Sequence, residues 1–489
     1  MTKYLIGIDV GTTGTKSMLI SETGEIISHA YAGYTSETPE NGWFEQSAED
    51  LWRAVVDTVR EVTSNRNVAE NTVAISLSTQ GGTLIPVDRD FHPLHPAIVW
   101  NDQRCTRQRE QFAEKFGSEY LYRKSGWGMM NGLNALQIAW LRENRPEICN
   151  STAMFLSVPD FVSARMTGRA VVDISNVGIN QLADIQAGAY DEGILDWLGI
   201  SQNQLAKIVP SGTTIGTLLP AVAAELGLNE SVLLISGAHD QYAGMLGAGI
   251  VESGELLIGT GTAWALTMLS DAPDFDSGLA QSVSATGNWG SLAAISSGGI
   301  CLDWFRKSIA GNEEEALSYD EINAAIQRKP SANPPLFFPY FTGGPFPLND
   351  SSCKAAFVGL DLSHDRIDLA RAVMEGVALQ SAWGIETFSR KTPIRKIKLS
   401  GGAAKSAPWM QLVADLVGRP IHALEVKDLP CVGAAILAGV GSGLFPSFEA
   451  GVQRINLKEI CYLPDPAQAE CRQNKYERFV RFAENLRGI

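Results

Sequence analysis

Two stretches of the chain share one form, in which an apolar run leads through a turn of glycine and threonine into a second apolar run. The first stretch is YLIGIDVGTTGTKSMLI near the start, and the second is ELLIGTGTAWALTML from Glu255. Short apolar runs bounded by glycine are typical of buried strands. The pattern predicts two β-hairpins in two related lobes that face a common ligand, and it leaves an internal duplication open.

Further apolar runs end in glycine-rich turns and alternate with helical patterns. Residues 47–62 and 365–388 carry apolar side chains at helical spacing, and Ser47 is placed to cap the first of these helices. This alternation predicts an α/β fold whose site lies at the strand ends. The further predicted strands are VAISLST from Val73, VLLISGAHD from Val232 and IRKIKLSGGAA from Ile394.

Length and composition limit the class of protein. A chain of 489 residues is too long for one ordinary core, and its formal net charge of -15 without a Lys/Arg run argues against a nucleic-acid partner. No signal peptide and no run of about 20 apolar residues is visible, so we expect a cytoplasmic protein without membrane contact. The seven cysteines form no CxxC pair, which favours free thiols.

The first turn, Asp9 to Lys16 (DVGTTGTK), has the composition of a phosphate-binding loop. Small residues let the backbone approach a polyphosphate, and the N–H groups and threonine hydroxyls can then donate to it. Asp9 is placed to hold Mg²⁺. This is not a Walker A motif, because strand-like residues follow instead of a helix. The alternative is a plain hairpin turn in which Asp9 satisfies backbone donors.

Two more turns repeat this chemistry. The second turn is Gly259-Thr260-Gly261-Thr262, and paired loops can hold a polyphosphate from two sides, as phosphoryl transfer requires. The third turn, from Ser400 to Ser406, precedes a helical pattern, so its glycines and the helix N-terminus suit a nucleotide. The alternative for each is an ordinary turn.

Asp240 follows the apolar strand VLLIS and opens the helical stretch QYAGML. A carboxylate in that place can accept the proton of a sugar hydroxyl as the hydroxyl attacks phosphorus. The alternative is a simple helix N-cap. His239 is expected to be structural, although its neutral imidazole can donate one hydrogen bond to a ligand.

A last group of polar residues suits a sugar. The sugar loop, Gln80-Gly81-Gly82-Thr83, follows a predicted strand, and Trp100 and Asp102 lie together near Arg104. Amides and carboxylates bind sugar hydroxyls, while an indole ring packs on a C–H face. The alternative for Asp102 and Arg104 is an ion pair.

These motifs resemble those of the FGGY family of carbohydrate kinases, in the correct order over nearly the whole chain. The resemblance implies an α/β fold of two ribonuclease-H-like, actin-like ATPase domains with a cleft between them. It implies a sugar-binding domain over residues 1–245 and a nucleotide-binding domain over 246–489. The matching segments are GIDVGTTGTK, NGWFEQSAEDLW, PAIVWNDQR, VVDISNVGIN, GAHDQYAGMLGAG, LIGTGTA, FVGLDLSHDRIDLARAVMEGVAL and LSGGAAKSAPWMQLVADLVGRPI.

Carried over position by position, the resemblance implies ATP and Mg²⁺ as cofactors and assigns the residues to roles. Asp240 is the general base and Asp9 assists the metal. The sugar residues are Gln80, Gly81, Trp100, Asp102 and Gln241. The nucleotide residues are Gly11, Thr12, Thr13, Lys16, Gly259, Thr260, Gly261, Thr262, Gly401, Gly402, Ala403 and Ser406.

The expected activity is ATP-dependent phosphorylation of a small carbohydrate, with ketopentoses such as xylulose or ribulose first. Xylulokinases usually carry Gln-Met-His-Gly in the sugar loop, and this chain lacks that histidine; it also lacks the Arg-Glu pair of glycerol kinases. Other polyols, deoxy sugars and sugar acids stay open, as does a homodimer. The alternative class is a non-catalytic nucleotide-binding sensor or scaffold. A Rossmann oxidoreductase fits poorly, because the first turn does not match GxGxxG.

Overall fold

The computed structural model describes residues 1–309, 316–327, 333–426 and 428–488. Contacts divide the chain into two units, and each is discontinuous in sequence. The first unit comprises residues 1–251, 271–291 and 428–456, and the second comprises 252–270, 292–427 and 457–489. The sequence instead led us to expect two continuous domains, 1–245 and 246–489. The two divisions differ mainly at residues 271–291 and 428–456, which the contacts assign to the first unit.

Short strands alternate with helices along the described residues. The strands are β1 (Tyr4–Val10), β2 (Gly14–Ser21), β3 (Ile26–Gly33), β4 (Glu45–Gln46), β5 (Thr72–Thr79), β6 (Ile85–Val87), β7 (Ala97–Ile98), β8 (Met154–Leu156), β9 (Val171–Asp173), β10 (Ala183–Asp184), β11 (Ala189–Tyr190), β12 (Lys207–Val209), β13 (Thr214–Thr217), β14 (Leu233–His239), β15 (Glu255–Thr260), β16 (Trp264–Ser270), β17 (Ala280–Val283), β18 (Trp289–Ile295), β19 (Leu336–Phe338), β20 (Ala356–Val358), β21 (Lys396–Gly401), β22 (Ile421–Leu424) and β23 (Glu459–Tyr462).

The helices range from one turn to more than six turns. They are α1 (Ala48–Val62), α2 (Arg66–Asn71), α3 (Thr106–Phe116), α4 (Ser118–Ser125), α5 (Asn134–Asn144), α6 (Pro146–Ser151), α7 (Val158–Thr167), α8 (Ile174–Val177), α9 (Glu192–Leu198), α10 (Pro220–Leu226), α11 (Asp240–Gly247), α12 (Gly299–Ser308), α13 (Tyr319–Ala325), α14 (Arg366–Phe388), α15 (Ala407–Val417), α16 (Leu429–Gly441), α17 (Phe448–Ile455) and α18 (Ala469–Asn485).

The first unit is built on a six-stranded sheet in the order β13-β14-β5-β1-β2-β3. Strands β1, β5 and β14 are parallel, whereas β1 and β2 form an antiparallel hairpin. The pairing places Asp9 beside Ser78 and His239 beside Thr79. Because parallel strands end at the same edge, the carboxyl ends of β1, β5 and β14 bring the first turn, the sugar loop and Asp240 to one edge of the sheet.

Helix α16 comes late in the sequence but packs on this first sheet and on α11. The approach is close because glycines face the neighbouring backbone. A Cβ on Gly7 would lie 1.9 Å from the carbonyl oxygen of Cys431, and one on Gly433 would lie 1.9 Å from that of Ala243. These contacts make residues 428–456 part of the first unit's core.

The second sheet has seven strands in the order β17-β18-β16-β15-β21-β22-β23, and five of them lie entirely in the second unit. Its centre follows the plan of the first sheet. Strands β15 and β16 form an antiparallel hairpin, and β15, β21 and β22 are parallel. The largely buried helix α14 begins after Asp365, whose carboxylate accepts hydrogen bonds from the N–H groups of Ile367 and Asp368.

The predicted α/β fold is confirmed, as are both hairpins, the five strands named from the sequence and the two long helices. Ser47 caps α1, as its position before the apolar pattern predicted. All seven cysteines are free thiols. None of the helices in the described part of the chain is long and apolar enough to cross a membrane.

Candidate active site

The first turn is held rigidly by hydrogen bonds to its backbone. The N–H of Gly11 donates to the carbonyl of Gly14 at 3.1 Å, which closes the hairpin. The hydroxyl of Tyr34 donates to the carbonyl of Gly11 at 2.5 Å, and that of Tyr31 donates to the carbonyl of Thr13 at 3.2 Å. Thr13 is exposed at the tip. The turn therefore presents a fixed surface of small residues to a ligand.

Asp9, at the end of β1, is a buried carboxylate with an unfavourable charge. It accepts a hydrogen bond from the Ser78 hydroxyl at 2.7 Å. Burial raises the pKa of Asp9 from its ordinary 3.8 to about 6; the Ser78 bond opposes this rise, and the nearby charges of Asp240 and Asp428 add to it. A cation beside Asp9 would relieve this destabilised charge.

Lys16, the last residue of the first turn, is paired with a residue from the far end of the chain. Its ammonium group lies 2.7 Å from the carboxylate of Asp428. Burial acts to lower the pKa of Lys16, but the hydrogen bond and charge of Asp428 and the charge of Asp9 outweigh it and raise that pKa. Lys16 is therefore a cation held near Asp9, with about a third of its side chain exposed.

Thr12 connects the first turn to the sugar loop. Its hydroxyl donates to Oε1 of Gln80 at 3.1 Å and accepts from the indole N–H of Trp100 at 3.1 Å. Its carbonyl accepts from Nε2 of Gln46 at 2.5 Å. The structure thus brings Thr12, Gln80 and Trp100 into contact, although the sequence assigned them to two different ligands.

Asp240 is the first residue of α11, directly after the buried strand β14. Its Oδ1 is buried without a hydrogen-bond partner among the described residues, while a third of the side chain is exposed. Nδ1 of His239 lies 3.1 Å from Oδ1, but this nitrogen also accepts the N–H of Gln241 at 3.3 Å. In the neutral histidine, Nδ1 is therefore an acceptor and leaves the carboxylate free to take a proton.

A buried network fixes the strand end before Asp240. The hydroxyl of Ser175 accepts the N–H of His239 at 2.8 Å and donates to Asp173 at 2.5 Å. Asp173 also accepts from the side chain of Asn176 at 2.8 Å. Burial raises the pKa of Asp173. These residues position the backbone that carries Asp240 and do not offer an exposed group to a ligand.

The carboxylate of Asp102 is hydrogen-bonded to other residues of the protein. Its two oxygens accept from the Nε and Nη2 atoms of Arg104 at 2.9 and 2.8 Å, and from the N–H of Phe44 at 2.6 Å. Both side chains of the ion pair are fully buried. Arg104 also binds Glu45 and stacks over Trp43. The ion pair that the sequence left as an alternative is thus present, and direct contact of Asp102 with a sugar stays a prediction.

The second unit contains a cavity of about 680 Å³ that collects most of the predicted nucleotide residues of that unit. This volume lies within the range of pockets for small ligands and cofactors. Thr260, Gly261 and Thr262 of the second turn line it, as do Gly402, Ala403 and Ser406 of the third turn. Gly259 and Gly401 lie behind these residues, paired with Ser400 and Thr260 on adjacent strands.

Thr260 ties the second turn to the third. Its hydroxyl donates to the carbonyl of Ser400 at 2.8 Å and accepts the N–H of Ala403 at 3.2 Å. Gly401 has a φ of +111°, and a Cβ there would lie 2.4 Å from the carbonyl oxygen of Thr260. Only glycine allows this close approach. Ser406 caps α15 and donates to Asn323 at 2.6 Å.

Comparison with known proteins decides the family. The model of the FGGY family of carbohydrate kinases, N-terminal domain, matches residues 4–247, and that of the C-terminal domain matches residues 256–442. The chain belongs to the FGGY family of carbohydrate kinases. As a family member, it is an ATP-dependent sugar kinase.

The relatives of this FGGY kinase are named for different substrates. The chain is 32% identical to a xylulose kinase of Bacillus subtilis, over 99% of this chain and 96% of that protein. It is 28% identical to a gluconokinase of the same organism, over 92% and 90%. The fold matches a ligand-bound xylulose kinase from Lactobacillus acidophilus with a TM-score of 0.91, at 24% identity over 99% and 98% of the two chains. The family is therefore established, but the sugar is not.

Several residues of this FGGY kinase's cavity were missed from the sequence. Most of them come from α12 and α13 or are aromatic residues beside the turns, and these have no phosphate-loop composition, whereas Lys405 belongs to the third turn itself. The glycine pair at the start of α12, Gly298-Gly299, was an available signal. The missed residues are Trp264, Gly299, Ile300, Leu302, Asp303, Tyr319, Asp320, Ile322, Asn323, Lys405 and Trp409.

The described residues form no preformed metal cage around Asp9. Among the described residues, the one group of three potential ligands within 4.8 Å of one another is Asp88, Asp90 and His92, mostly exposed and unrelated to the turns. Mg²⁺ commonly keeps several waters and binds through one or two carboxylates and the substrate phosphates. A single carboxylate such as that of Asp9 fits that kind of site.

Proposed function

We propose that this FGGY kinase transfers the γ-phosphoryl group of ATP to a hydroxyl of a ketopentose such as xylulose or ribulose, with Asp240 as general base. The observation that carries the proposal is the state of the Asp240 carboxylate. One of its oxygens is buried without a hydrogen-bond partner among the described residues, and a third of the side chain is exposed. Asp240 lies at the sheet edge where β5 ends and the sugar loop begins. Such a carboxylate can take the hydroxyl proton as the oxygen attacks phosphorus.

The turns supply the phosphate contacts in this proposal. The N–H groups of Thr12 and Thr13, the Thr13 hydroxyl and the Lys16 ammonium group donate to phosphate oxygens, and Gly11, whose own N–H closes the hairpin, lets the phosphates approach the backbone. The cavity of the second unit, lined by the second and third turns, holds the nucleoside and part of the phosphate chain. We assign Mg²⁺ to Asp9, where the ion would offset phosphate charge. The charge of this single carboxylate, which is destabilised mainly by burial, supports this assignment.

A neutral ketose is favoured over a sugar acid by the charges around Asp240. Asp9 and Asp240 are acidic, and the nearby cation Lys16 is paired with Asp428. A sugar carboxylate would have to approach this acidic group, whereas hydroxyl and keto oxygens carry no charge. The xylulose kinase relative agrees with this choice, and the gluconokinase relative makes gluconate the main competitor.

The test is a coupled ADP-release screen of the purified chain with Mg²⁺, ATP and a sugar panel. D-Xylulose, D-ribulose, L-xylulose, glycerol, D-gluconate and a deoxy sugar should be compared by kcat/KM. We expect a ketopentose to lead. The Asp240→Asn variant should lose about 10²–10⁴-fold in kcat, the scale of removing a general base.

A matched control is Asp88→Asn, which changes another carboxylate of the same unit in an exposed turn. It should keep the wild-type rate. Equal rates for Asp240→Asn and wild type would refute the assigned base. A higher kcat/KM with D-gluconate than with every ketopentose would refute the assigned sugar class. ATP binding in calorimetry without turnover of any sugar would favour the non-catalytic alternative.

A further inference from the structure

Trp127 is a buried tryptophan with an unused hydrogen-bond donor. Only 9% of the residue is exposed, and its indole N–H has no partner among the described residues. Nearly all buried N–H groups in folded proteins are paired with protein, ordered water or a ligand. An unpaired one costs free energy, so an acceptor from outside the chain should lie beside Trp127.

The segment that carries Trp127 is rigid. Its carbonyl accepts from Nε2 of Gln181 at 3.2 Å, and its N–H donates to the hydroxyl of Ser125 at 3.2 Å. Gly126 ends α4 in the left-handed conformation directly before it. A side chain presented from a backbone fixed on both sides is preorganised for a ligand, as specificity requires.

His239 links Trp127 to Asp240. The ring centroids of Trp127 and His239 are 5.9 Å apart, and Nδ1 of His239 lies 3.1 Å from the Asp240 carboxylate. Because Nδ1 accepts the N–H of Gln241, the neutral imidazole carries its proton on Nε2. None of the described residues accepts a hydrogen bond from that nitrogen. A second free donor thus lies next to the first.

The sugar loop packs closely against this imidazole. A Cβ on Gly81 would lie 2.8 Å from Cδ2 and 3.0 Å from Nε2 of His239, and 2.7 Å from Cγ2 of Ile179. The imidazole edge therefore packs directly on the backbone of Gly81, where a side chain would displace it. Glycine at position 81 and histidine at position 239 are sterically matched.

We propose that Trp127 and His239 determine the sugar specificity of this kinase, by donating from Nε1 and Nε2 to two oxygens of the bound sugar. The inference rests on the proposed function, in which the sugar lies beside Asp240. Two neutral donors suit hydroxyl or keto oxygens, and the indole ring adds an apolar face for C–H groups. They supply hydrogen bonds that Gly81 and Gly82 of the sugar loop, without side chains, do not.

The test compares two conservative variants by calorimetric sugar binding and by steady-state kinetics. Trp127→Phe keeps an aromatic ring and removes the N–H. His239→Asn keeps a side-chain oxygen that can cap α11 and removes the Nε2–H donor, because the shorter amide does not extend to the position of Nε2. The probe is D-xylulose, or the panel sugar with the highest kcat/KM if D-xylulose is not turned over. Each variant should raise the sugar Kd about 2- to 12-fold, the value of one neutral hydrogen bond, with the KM for ATP unchanged.

Trp197→Phe is the matched control, because Trp197 is a tryptophan of the same unit that packs against Phe112 away from these residues. It should leave the sugar Kd unchanged. The penalty of Trp127→Phe should also vanish for the monodeoxy analogue that lacks the bonded hydroxyl. Folding of each variant is checked by thermal unfolding, and His239→Asn provides an independent test if Trp127→Phe is unstable.

An unchanged sugar Kd in both folded variants would overturn the inference, because water would then be the acceptor of the two donors. A penalty of equal size for every monodeoxy analogue would overturn it as well, since the effect would be one of packing. Wild-type ADP release on the same sugar is measured in parallel. If the wild type releases ADP while both variants bind the sugar with unchanged Kd, only the specificity inference fails. If no sugar elicits ADP release from the wild type, the proposed function fails.

Discussion

The hydroxyl of Thr12 donates a hydrogen bond to Oε1 of Gln80 at 3.1 Å and thereby joins the first turn to the sugar loop. Trp100 donates to the same hydroxyl from its indole N–H. The residue assigned to phosphate and the residues assigned to sugar therefore belong to one hydrogen-bonded group. A substitution in the first turn should therefore alter the affinity for the sugar as well as the affinity for the nucleotide.

Thr12→Val should distinguish the effect of the Thr12 hydrogen bonds from the effect of the side-chain volume. Valine has the same shape but neither donates to Gln80 nor accepts from Trp100. We expect the sugar KM to rise about tenfold, because the partly buried indole N–H of Trp100 is left unpaired. Thr12→Ser, which keeps the hydroxyl, should stay within about threefold of wild type in the same ADP-release assay. A sugar KM in Thr12→Val equal to that of Thr12→Ser would contradict the link.

Asp9→Asn should make the ligand-free protein more stable and less active. The pKa of Asp9 is raised to about 6 in the folded protein from 3.8, so the native state binds more protons than the unfolded state between these values. The contribution of Asp9 to stability therefore falls as pH rises through this window and is fully unfavourable at pH 7. The cost is at most about 3 kcal/mol. Urea unfolding at pH 7 without Mg²⁺ measures it, and a destabilised Asp9→Asn would refute the reasoning.

Asp102→Asn should act on stability before it acts on catalysis. It removes a charge that fully buried Arg104 requires, and breaking a buried pair typically costs about 3–5 kcal/mol. Asp240→Asn, at a partly exposed carboxylate, should change the free energy of unfolding by less than about 1 kcal/mol. Urea unfolding of the two variants gives the comparison. Unaltered stability of Asp102→Asn with a raised sugar KM would instead support the sugar contact predicted from the sequence.

Gly401→Ala and Gly402→Ala test the close approach of the third turn to Thr260. At position 401 a Cβ would lie 2.4 Å from the Thr260 carbonyl oxygen at a φ of +111°, whereas at 402 the nearest atom is 3.6 Å away. Strain and overlap should cost Gly401→Ala more than about 2 kcal/mol of stability, and Gly402→Ala less than about 1. Thermal unfolding without nucleotide measures both. Equal unfolding temperatures would contradict the geometry.

Much of the fold and of the turns could be predicted because their signals are local. A strand followed by glycine and threonine is readable from a few residues, and pairing of parallel strands then brings their ends to one edge. Asp9, Asp240 and the second and third turns lie where this reasoning placed them along the strands. Their chemical roles stay predictions, since geometry near a turn does not by itself assign a ligand.

The remainder depends on contacts between distant segments. The partner of Lys16 is Asp428, and Trp127 reaches His239 from a loop with no motif of its own. The burial of Asp102 also depends on Arg104, Glu45 and Trp43 meeting in the folded unit. Sequence spacing carries no information on such long-range contacts, so the sequence alone is compatible with Asp102 as a sugar ligand and with Asp102 as part of an ion pair.

The late position of α16 in the sequence has a consequence for how the chain is made. Gly7 of β1 and Cys431 of α16 touch through their backbones, although most of the chain separates them. During synthesis, the face of the first sheet that α16 covers therefore stays exposed until residues 428–456 emerge from the ribosome. A gene fragment ending at residue 291, which keeps the first unit's other two segments, should yield aggregates, and adding residues 428–456 as a separate peptide should restore solubility.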